Sequence, residues 1–178
     1  MANAAGGGVD FTGFDDWLDA LYRSTNAVVR FGHYLKERRI LWLDPHPANN
    51  TEVFEFLEQA AASSGNPDYV LDTVPDVEAA LAKLQSVDLK GKYHLLVTHW
   101  GSIPAGPSDA RVDPTTVAIL KALRQQDIRI PTVVFASDID VEERKVEALS
   151  LGAADYCFTF GALFSRIESI FAPASATG

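Results

Sequence analysis

The chain has 178 residues, of which 47% are hydrophobic and 22% are charged, and its formal net charge is −9 at pH 7. This composition is typical of one globular domain, and no run of about 18 apolar residues is present that would span a membrane. The negative charge argues against a nucleic-acid groove, since phosphate binding needs clustered Lys and Arg side chains. The single cysteine, Cys157, excludes an internal disulfide and a cysteine-based metal cluster.

The first 38 residues precede the first predicted strand. Residues 1–12 are rich in glycine and small side chains, which predicts a flexible lead, and they lack the features of a secretory signal; we therefore expect a cytoplasmic protein. Apolar residues then recur at near-helical spacing, which predicts a helical extension over 13–38. This extension either packs on the flank of the domain or forms a seam for a partner or a second copy through Trp17 and Tyr22.

Five apolar segments alternate with helical patterns through the rest of the chain. The predicted strands cover residues 40–43, 69–71, 93–98, 130–136 and 155–158. The predicted helices cover residues 51–63, 75 to about 90, 114 to about 123, 141–151 and 161–171. This alternation predicts a three-layer α/β fold, in which a five-stranded parallel doubly wound sheet has helices on both faces.

Asp44 is the first candidate functional residue. It directly follows the apolar run 40–43 and precedes a Pro-rich turn, and a helix begins near Thr51. In an open α/β sheet, ligands and chemistry collect at the carboxyl ends of the strands. The carboxylate of Asp44 is therefore expected at the functional edge of the sheet.

Three separated stretches resemble the receiver domain of two-component response regulators. Residues 40–49 look like the receiver's first strand and acidic turn. Ile130 and Pro131 introduce the fourth strand as in that family, and the run Leu-Gly-Ala-Ala-Asp-Tyr at 151–156 leads into the fifth. The resemblance implies a flavodoxin-like fold over residues 39–172.

The same resemblance implies the strand order 2-1-3-4-5. This order makes the first and third strands neighbours, so Asp44 and His99 are expected close together at the carboxyl edge. Residues 173–178 would form a flexible tail after the domain.

Most of the residues that carry phosphorylation in receivers are replaced in this sequence. A receiver takes a phosphoryl group on an aspartate after the third strand, and Mg²⁺ is held by that aspartate and by an acid pair after the first strand. The corresponding positions here are Asp44, Pro45 and His46 for the acid pair and its turn, His99 for the phosphoacceptor, Ala136 and Ser137 for the switch hydroxyl, and Thr159, followed by Phe160, for the conserved lysine. The resemblance therefore implies a degenerate pocket with no catalytic residue and no cofactor.

A receiver-like chain without this chemistry is expected to act as a pseudo-receiver, a phosphorylation-independent signalling or regulatory module. Its expected partner is another protein or a second copy in a homodimer, and neither nucleic acid nor a membrane. Tyr156 matches the family's switch aromatic on the interaction face of the last helices and strand. The alternative is that Tyr156 is a half-buried strand tyrosine.

Two other classes of function stay open at this point. Asp44, His46 and His99 together are the residue types of a two-histidine, one-carboxylate metal site, and the same edge is a candidate site for a small ligand. Toll/interleukin-receptor-like NAD hydrolases and deoxyribosyltransferase-like enzymes have a related layout and use a catalytic glutamate, for which Glu52 and Glu55 are candidates. The loop 102–113 is unusually long for this kind of connection, but its role is not defined by the sequence.

Overall fold

The computed structural model describes residues 25–65, 68–86, 92–101 and 113–173. The helices in this part of the chain are α1 (Thr25–Tyr34), α2 (Thr51–Ser63), α3 (Val77–Gln85), α4 (Thr115–Gln125), α5 (Val141–Ser150) and α6 (Phe160–Phe171). The strands are β1 (Arg39–Leu43), β2 (Val70–Val74), β3 (Leu95–Thr98), β4 (Thr132–Phe135) and β5 (Asp155–Cys157), and a short 3₁₀ turn (Pro47–Asn50) leads into α2. None of these helices combines the length and hydrophobicity that a membrane span requires.

The five strands pair in parallel in the order β2-β1-β3-β4-β5, which confirms the predicted flavodoxin-like topology. In this register Leu43 of β1 lies between Val74 of β2 and Thr98 of β3. The carboxyl ends of three strands therefore meet at one place on the sheet edge, directly before Asp44 and His99.

Alternating strand residues supply the two cores of the domain, because successive side chains point to opposite faces of a sheet. Trp42 and Val97 face the side covered by α1, α2 and α6. Leu41 and Leu96 face the side covered by α3, α4 and α5. This two-sided burial is the physical reason why the strands read as continuous apolar runs.

The helix α1 packs on the flank of the domain, as one of the two sequence alternatives proposed. Phe31 and Leu35 are fully buried in the core beneath α2 and α6. A side chain at Gly32 would place its Cβ 1.9 Å from the backbone oxygen of Ala60, so glycine permits the close approach of α1 to α2. Trp17 lies outside the described residues, as does Tyr22, and the seam stays a prediction.

Element boundaries differ most from the sequence expectation at β2 and β4. The strand β2 continues to Val74 because it lies at the edge of the sheet, where Asp72 and Thr73 reach solvent without burying a polar group. The strand β4 begins only at Thr132, after Pro131, which has no backbone N–H to donate. Residues 102–112 of the long loop lie outside the described part of the chain, and the proposed limits of the lead, extension and tail stay predictions.

Candidate functional site

Asp44 lies at the end of β1 and is only 8% exposed. Its Oδ1 accepts a hydrogen bond from His46 N at 2.7 Å, and its Oδ2 accepts one from Asn50 Nδ2 at 2.8 Å. The backbone N–H of Asp44 donates to Val74 O at 3.0 Å. Both carboxylate oxygens therefore have donors within the protein, and the side chain organises the turn that leads into α2.

His99 lies beside Asp44 at the end of β3 and is held by the backbone of β1. Its backbone N–H donates to Leu43 O at 3.2 Å, and its ring Nδ1 is also 3.2 Å from that oxygen. Since a carbonyl oxygen only accepts, Nδ1 carries a proton in this contact, and Nε2 is the acceptor of the neutral ring. Thr116 of α4 donates from Oγ1 to His99 O at 2.6 Å, which fixes the backbone on the other side.

The metal alternative at this edge finds no three-ligand cluster among the described residues. Asp44, His46 and His99 are all described, yet no group of three or more His, Cys, Asp or Glu side chains in that part of the chain is placed to hold a metal ion. Both oxygens of Asp44 accept hydrogen bonds within its own turn, from His46 N and Asn50 Nδ2.

The positions that correspond to the receiver's switch hydroxyl and lysine have structural roles. Ala136 donates its backbone N–H to Cys157 O at 3.1 Å, and Ser137 is exposed. Thr159 is the N-cap of α6, because its Oγ1 accepts a hydrogen bond from Ala162 N at 3.2 Å. None of these three side chains supplies a positive charge to the edge.

Acidic side chains surround this edge, where the helices begin. Asp76 caps α3 by accepting a hydrogen bond from Ala79 N at 2.8 Å. Other acids in the first helical turns or next to them are Glu52, Glu78, Asp138, Asp140, Glu142 and Glu143. Carboxylates at helix N-termini are stabilised by the helix dipole, but they repel an incoming phosphate. Arg144 is a cation near this edge. Its guanidinium carbon lies 5.4 Å from the centre of the Trp100 ring, and its Nη2 lies 3.9 Å from Asp140 Oδ2.

A cleft of about 380 Å³ opens beside Asp44, between the start of α2 and the side chains of Phe135 and Phe160. Glu52 lines this cleft, and its exposed neighbour Glu55 does not. The remaining lining residues are Ala48, Asn49, Asn50, Thr51 and Val53, none of which is a histidine or a basic side chain. The cleft therefore has room for a small ligand, but it offers one carboxylate without a partner base.

Tyr156 is only 3% exposed, which differs from the expectation of an interaction residue at the surface. Its hydroxyl donates to Ser137 O at 3.0 Å, and its ring lies 6.1 Å from that of Trp100. Burial of this side chain means that a partner would contact its neighbours instead. Large apolar side chains exposed on or next to α5 and β5 are Ile139, Val146, Leu149 and Phe158.

Sequence reasoning missed Asn50 and Trp100. Asn50 completes the hydrogen bonds of Asp44, and Trp100 packs against the Tyr156 ring. Asp44 followed by proline is a signal for an Asx-type turn to His46 N, but it does not identify the side-chain contact with Asn50. No local signal identifies Trp100, since its partner is 56 residues away in the sequence.

Solved receiver domains resemble this structure over most of its length. The non-phosphorylated HemR receiver domain from Leptospira biflexa has a TM-score of 0.54 and 17% identity, covering 79% of this chain and 99% of that one. The receiver domain of a histidine kinase from Arabidopsis thaliana, solved with Mg²⁺ and BeF₃⁻, has a TM-score of 0.54 and 15% identity, covering 80% and 97%. A receiver domain from Bermanella marisrubri has a TM-score of 0.54 and 19% identity, covering 77% and 99%.

The sequence itself matches no protein-family model and no curated protein. At identities between 15% and 19%, these structural similarities bear on the fold and not on chemistry or partners. The fold and the position of the candidate site define an α/β protein of the flavodoxin-like class. Within that class the chain contains a receiver-like domain, as its three sequence motifs predicted.

Proposed function

We propose that this chain is a phosphorylation-independent pseudo-receiver that acts in signalling or regulation by binding another protein. The observation that carries this proposal is the state of Asp44, whose two carboxylate oxygens are both engaged by donors of its own turn. Mg²⁺ at this carboxylate would compete with the hydrogen bonds from His46 N and Asn50 Nδ2 for the same two oxygens.

The other requirements of phosphoryl transfer are also unmet by the residues in place. In-line transfer to a carboxylate needs a nucleophilic oxygen and positive charge near the transferring phosphoryl group. His99 stands at the acceptor position and Thr159 at the position of the lysine, where it caps α6 instead. Acids at the helix starts add negative charge to the same edge.

Incubation with acetyl phosphate and Mg²⁺, followed by intact-mass measurement, tests this proposal. We expect no mass increase equal to one phosphoryl group in the wild-type chain. A matched variant that combines Pro45→Asp, His99→Asp and Thr159→Lys restores the residue types of a receiver and serves as the positive comparison, with circular dichroism as the check that it folds. A stable phosphoryl adduct on the wild-type chain would overturn the proposal, whatever the variant does.

The partner-binding role is supported by the exposed apolar side chains around α5. Val146 is 67% exposed and Leu149 is 42% exposed on this helix, and Ile139 precedes it at 58%. By contrast, Phe31 of α1 and Leu35, which follows this helix, are buried in the core of their own chain. The described part of α1 therefore offers less apolar surface to a partner. We therefore place the contact with a second copy or another protein on the α5 surface.

Light scattering at high micromolar concentration tests self-association at this surface. We expect a dimer that dissociates in the Val146→Glu, Leu149→Glu double variant and persists in Glu147→Ala, an exposed control on the same helix. A monomeric wild-type chain, with residues 1–24 present, would contradict the homodimer. Pull-down experiments with the wild-type and double variant would then examine binding to other proteins.

Glu52 supports a second candidate function, an enzyme that uses a carboxylate in the 380 Å³ cleft to cleave a glycosidic bond of NAD or a nucleoside. The cleft lacks a second acid or a base among its lining residues, so we favour the pseudo-receiver. Incubation with NAD and with nucleosides, followed by chromatography, decides between them. Product release that is lost in Glu52→Gln but kept in Glu55→Gln would establish the enzyme.

A further inference from the structure

A second cleft, of about 550 Å³, lies at the amino edge of the sheet, at the opposite end of the strands from Asp44. It forms where α1 ends, β1 begins and α6 ends. Four basic residues and two aromatic residues line most of it, Arg30, His33, Lys36, Arg38, Tyr34 and Phe171. Its volume falls in the range of about 300–1,000 Å³ that small-molecule sites occupy.

The charge of this cleft is opposite to that of the whole chain. Arg30, Lys36 and Arg38 supply three permanent positive charges and Glu37 one negative charge, which gives the lining a net charge of +2 with His33 neutral. The chain as a whole carries −9. Glu168, outside the lining, offsets one of these charges through its ion pair with Arg30, and the remaining excess of positive charge favours an anion.

Two of these basic groups have no acidic partner among the described residues. Lys36 and His33 are exposed and form no ion pair with that part of the chain, whereas Arg30 Nη2 lies 3.5 Å from Glu168 Oε2. The side chains of Lys36 and His33 are therefore available to a ligand without the loss of an existing ion pair.

Arg38 is held in place at the base of the cleft. Its guanidinium carbon lies 5.2 Å from the centre of the Phe171 ring, and its Nη2 donates to Phe171 O at 3.4 Å. Its Nε is buried without a hydrogen-bond partner among the described residues, so no carboxylate in that part of the chain neutralises this cation through Nε. A guanidinium ordered in this way is suited to phosphate, whose oxygens match its planar donors.

The pKa of the neighbouring, partly buried His94 is affected by basic side chains at the same edge. Burial, followed by the charges of Arg38 and Arg39, lowers the pKa of His94. The basic groups at this edge are therefore close enough to disfavour a further positive charge, which is the electrostatic condition that favours an anion.

We propose that this cleft binds a phosphorylated small molecule of nucleotide type. Its phosphates would contact Lys36, His33 and Arg38, and a planar base would lie against the half-buried Tyr34. The ligand would bridge α1 and α6, so that its binding would stabilise the docked position of α1. This site is separate from the carboxyl edge, and it does not depend on whether Asp44 binds a metal.

Isothermal titration calorimetry of the full chain at low salt, without Mg²⁺, tests this site with pyrophosphate, ATP and adenosine. We expect saturable binding of pyrophosphate and ATP and no detectable binding of adenosine at the same concentrations. We expect ATP to bind more tightly than pyrophosphate, because its base would add the contact with Tyr34. Pyrophosphate binding as tight as that of ATP would overturn the assignment to a nucleotide, and adenosine binding equal to that of ATP would overturn the anion site itself.

Charge variants at two clefts locate the binding. We expect His33→Gln combined with Lys36→Gln to weaken pyrophosphate binding about tenfold or more, because the anion loses two hydrogen-bond donors and one positive charge. Arg124→Gln combined with Arg129→Gln is the matched control, since these arginines line another cleft at the same edge of the sheet. Equal weakening in both double variants, or no saturable binding of pyrophosphate to the wild-type chain, would overturn the proposal.

Discussion

The two edges of the sheet use their charged groups in different ways. At the carboxyl edge, the carboxylate of Asp44 is bonded to its own turn, Thr159 caps a helix, and acids occupy the helix starts. At the amino edge, basic side chains around Arg38 line an open cleft with few acidic partners. The two edges of this receiver-like fold therefore differ in how far their charged groups are already engaged by the protein itself.

The amino edge also contains a polar network that ties three strands together. Tyr93 donates from its hydroxyl to Asp72 Oδ2 at 2.5 Å, and Arg39 Nη1 lies 3.7 Å from the same oxygen. Arg39 N donates to His94 Nδ1 at 3.0 Å. Burial and the hydrogen bond to Asp72 raise the pKa of Tyr93 to about 12. Some charged groups at this edge therefore bridge neighbouring strands, and others line the cleft, where they face solvent.

The largest expected effect comes from Gly32→Ala, which would disturb the packing of α1, the helix that lines part of the amino-edge cleft. The new Cβ would lie 1.9 Å from Ala60 O, a backbone atom that cannot move aside without shifting α2. We expect a loss of about 3 kcal/mol in the free energy of unfolding, measured by chemical denaturation. His33→Ala, at an exposed position on the same helix, is the control and should change stability little. Equal stability of both variants would show that α1 does not pack as described.

A smaller effect is expected from Asp44→Ala at the carboxyl edge. Removal of this carboxylate leaves the N–H of His46 and the amide of Asn50 without their acceptor, which should destabilise the fold by about 1–3 kcal/mol. Asp44→Asn keeps one acceptor oxygen and should cost less. Millimolar Mg²⁺ should leave the stability of wild type and variants unchanged. Stabilisation by Mg²⁺ in the wild type alone would mean that Asp44 binds metal as in an active receiver.

The sequence predicted the fold better than the site because the two depend on different ranges of interaction. The parallel sheet and its two-sided core follow from apolar runs that alternate with helical patterns, which are local, and the strand order is implied by the resemblance to receivers. The proximity of Asp44 and His99 follows from that order alone. Which donors the Asp44 carboxylate finds depends on the path of the turn through His46 and Asn50, and side-chain directions in such a turn are not encoded by spacing.

Tyr156 illustrates the same limit at longer range. Its place on β5 follows from the pattern of the strand, but its burial depends on Trp100, which approaches from β3. The basic cleft was not predicted from the sequence either, because Arg30 and Phe171 are distant in the sequence and come together only when α1 docks beside α6.

Removal of a tyrosine hydroxyl is expected to change the free energy of unfolding by an intermediate amount, and two tyrosines allow a matched comparison. Tyr156→Phe removes a hydroxyl that donates to Ser137 O near the carboxyl edge, and we expect a loss of about 1 kcal/mol in unfolding free energy. Tyr69→Phe removes a buried hydroxyl without a partner among the described residues, at the amino end of β2, and should leave stability equal or slightly higher. Urea denaturation of both variants measures the difference. A greater loss in Tyr69→Phe would show that its hydroxyl has a partner outside the described residues.

The smallest expected effect is the pH dependence that His94 contributes at the amino edge. Burial and the charges of Arg38 and Arg39 lower the pKa of His94 in the folded chain below its ordinary value of 6.5. Above pH 6.5 both the folded and unfolded forms are neutral at this residue, and its contribution to stability is complete. As the pH falls below 6.5 the unfolded form takes up a proton first, so stability decreases until the lowered pKa of the folded form is reached.

His94→Asn isolates this contribution, because the amide oxygen of asparagine can still accept the hydrogen bond from Arg39 N but does not titrate. Urea denaturation at several pH values between about 7.5 and 5.5 should show a steeper loss of stability in the wild type than in the variant. Identical slopes for wild type and His94→Asn would mean that the ring accepts a proton in the folded chain as easily as in the unfolded one, which is incompatible with Nδ1 serving as an acceptor between two arginines.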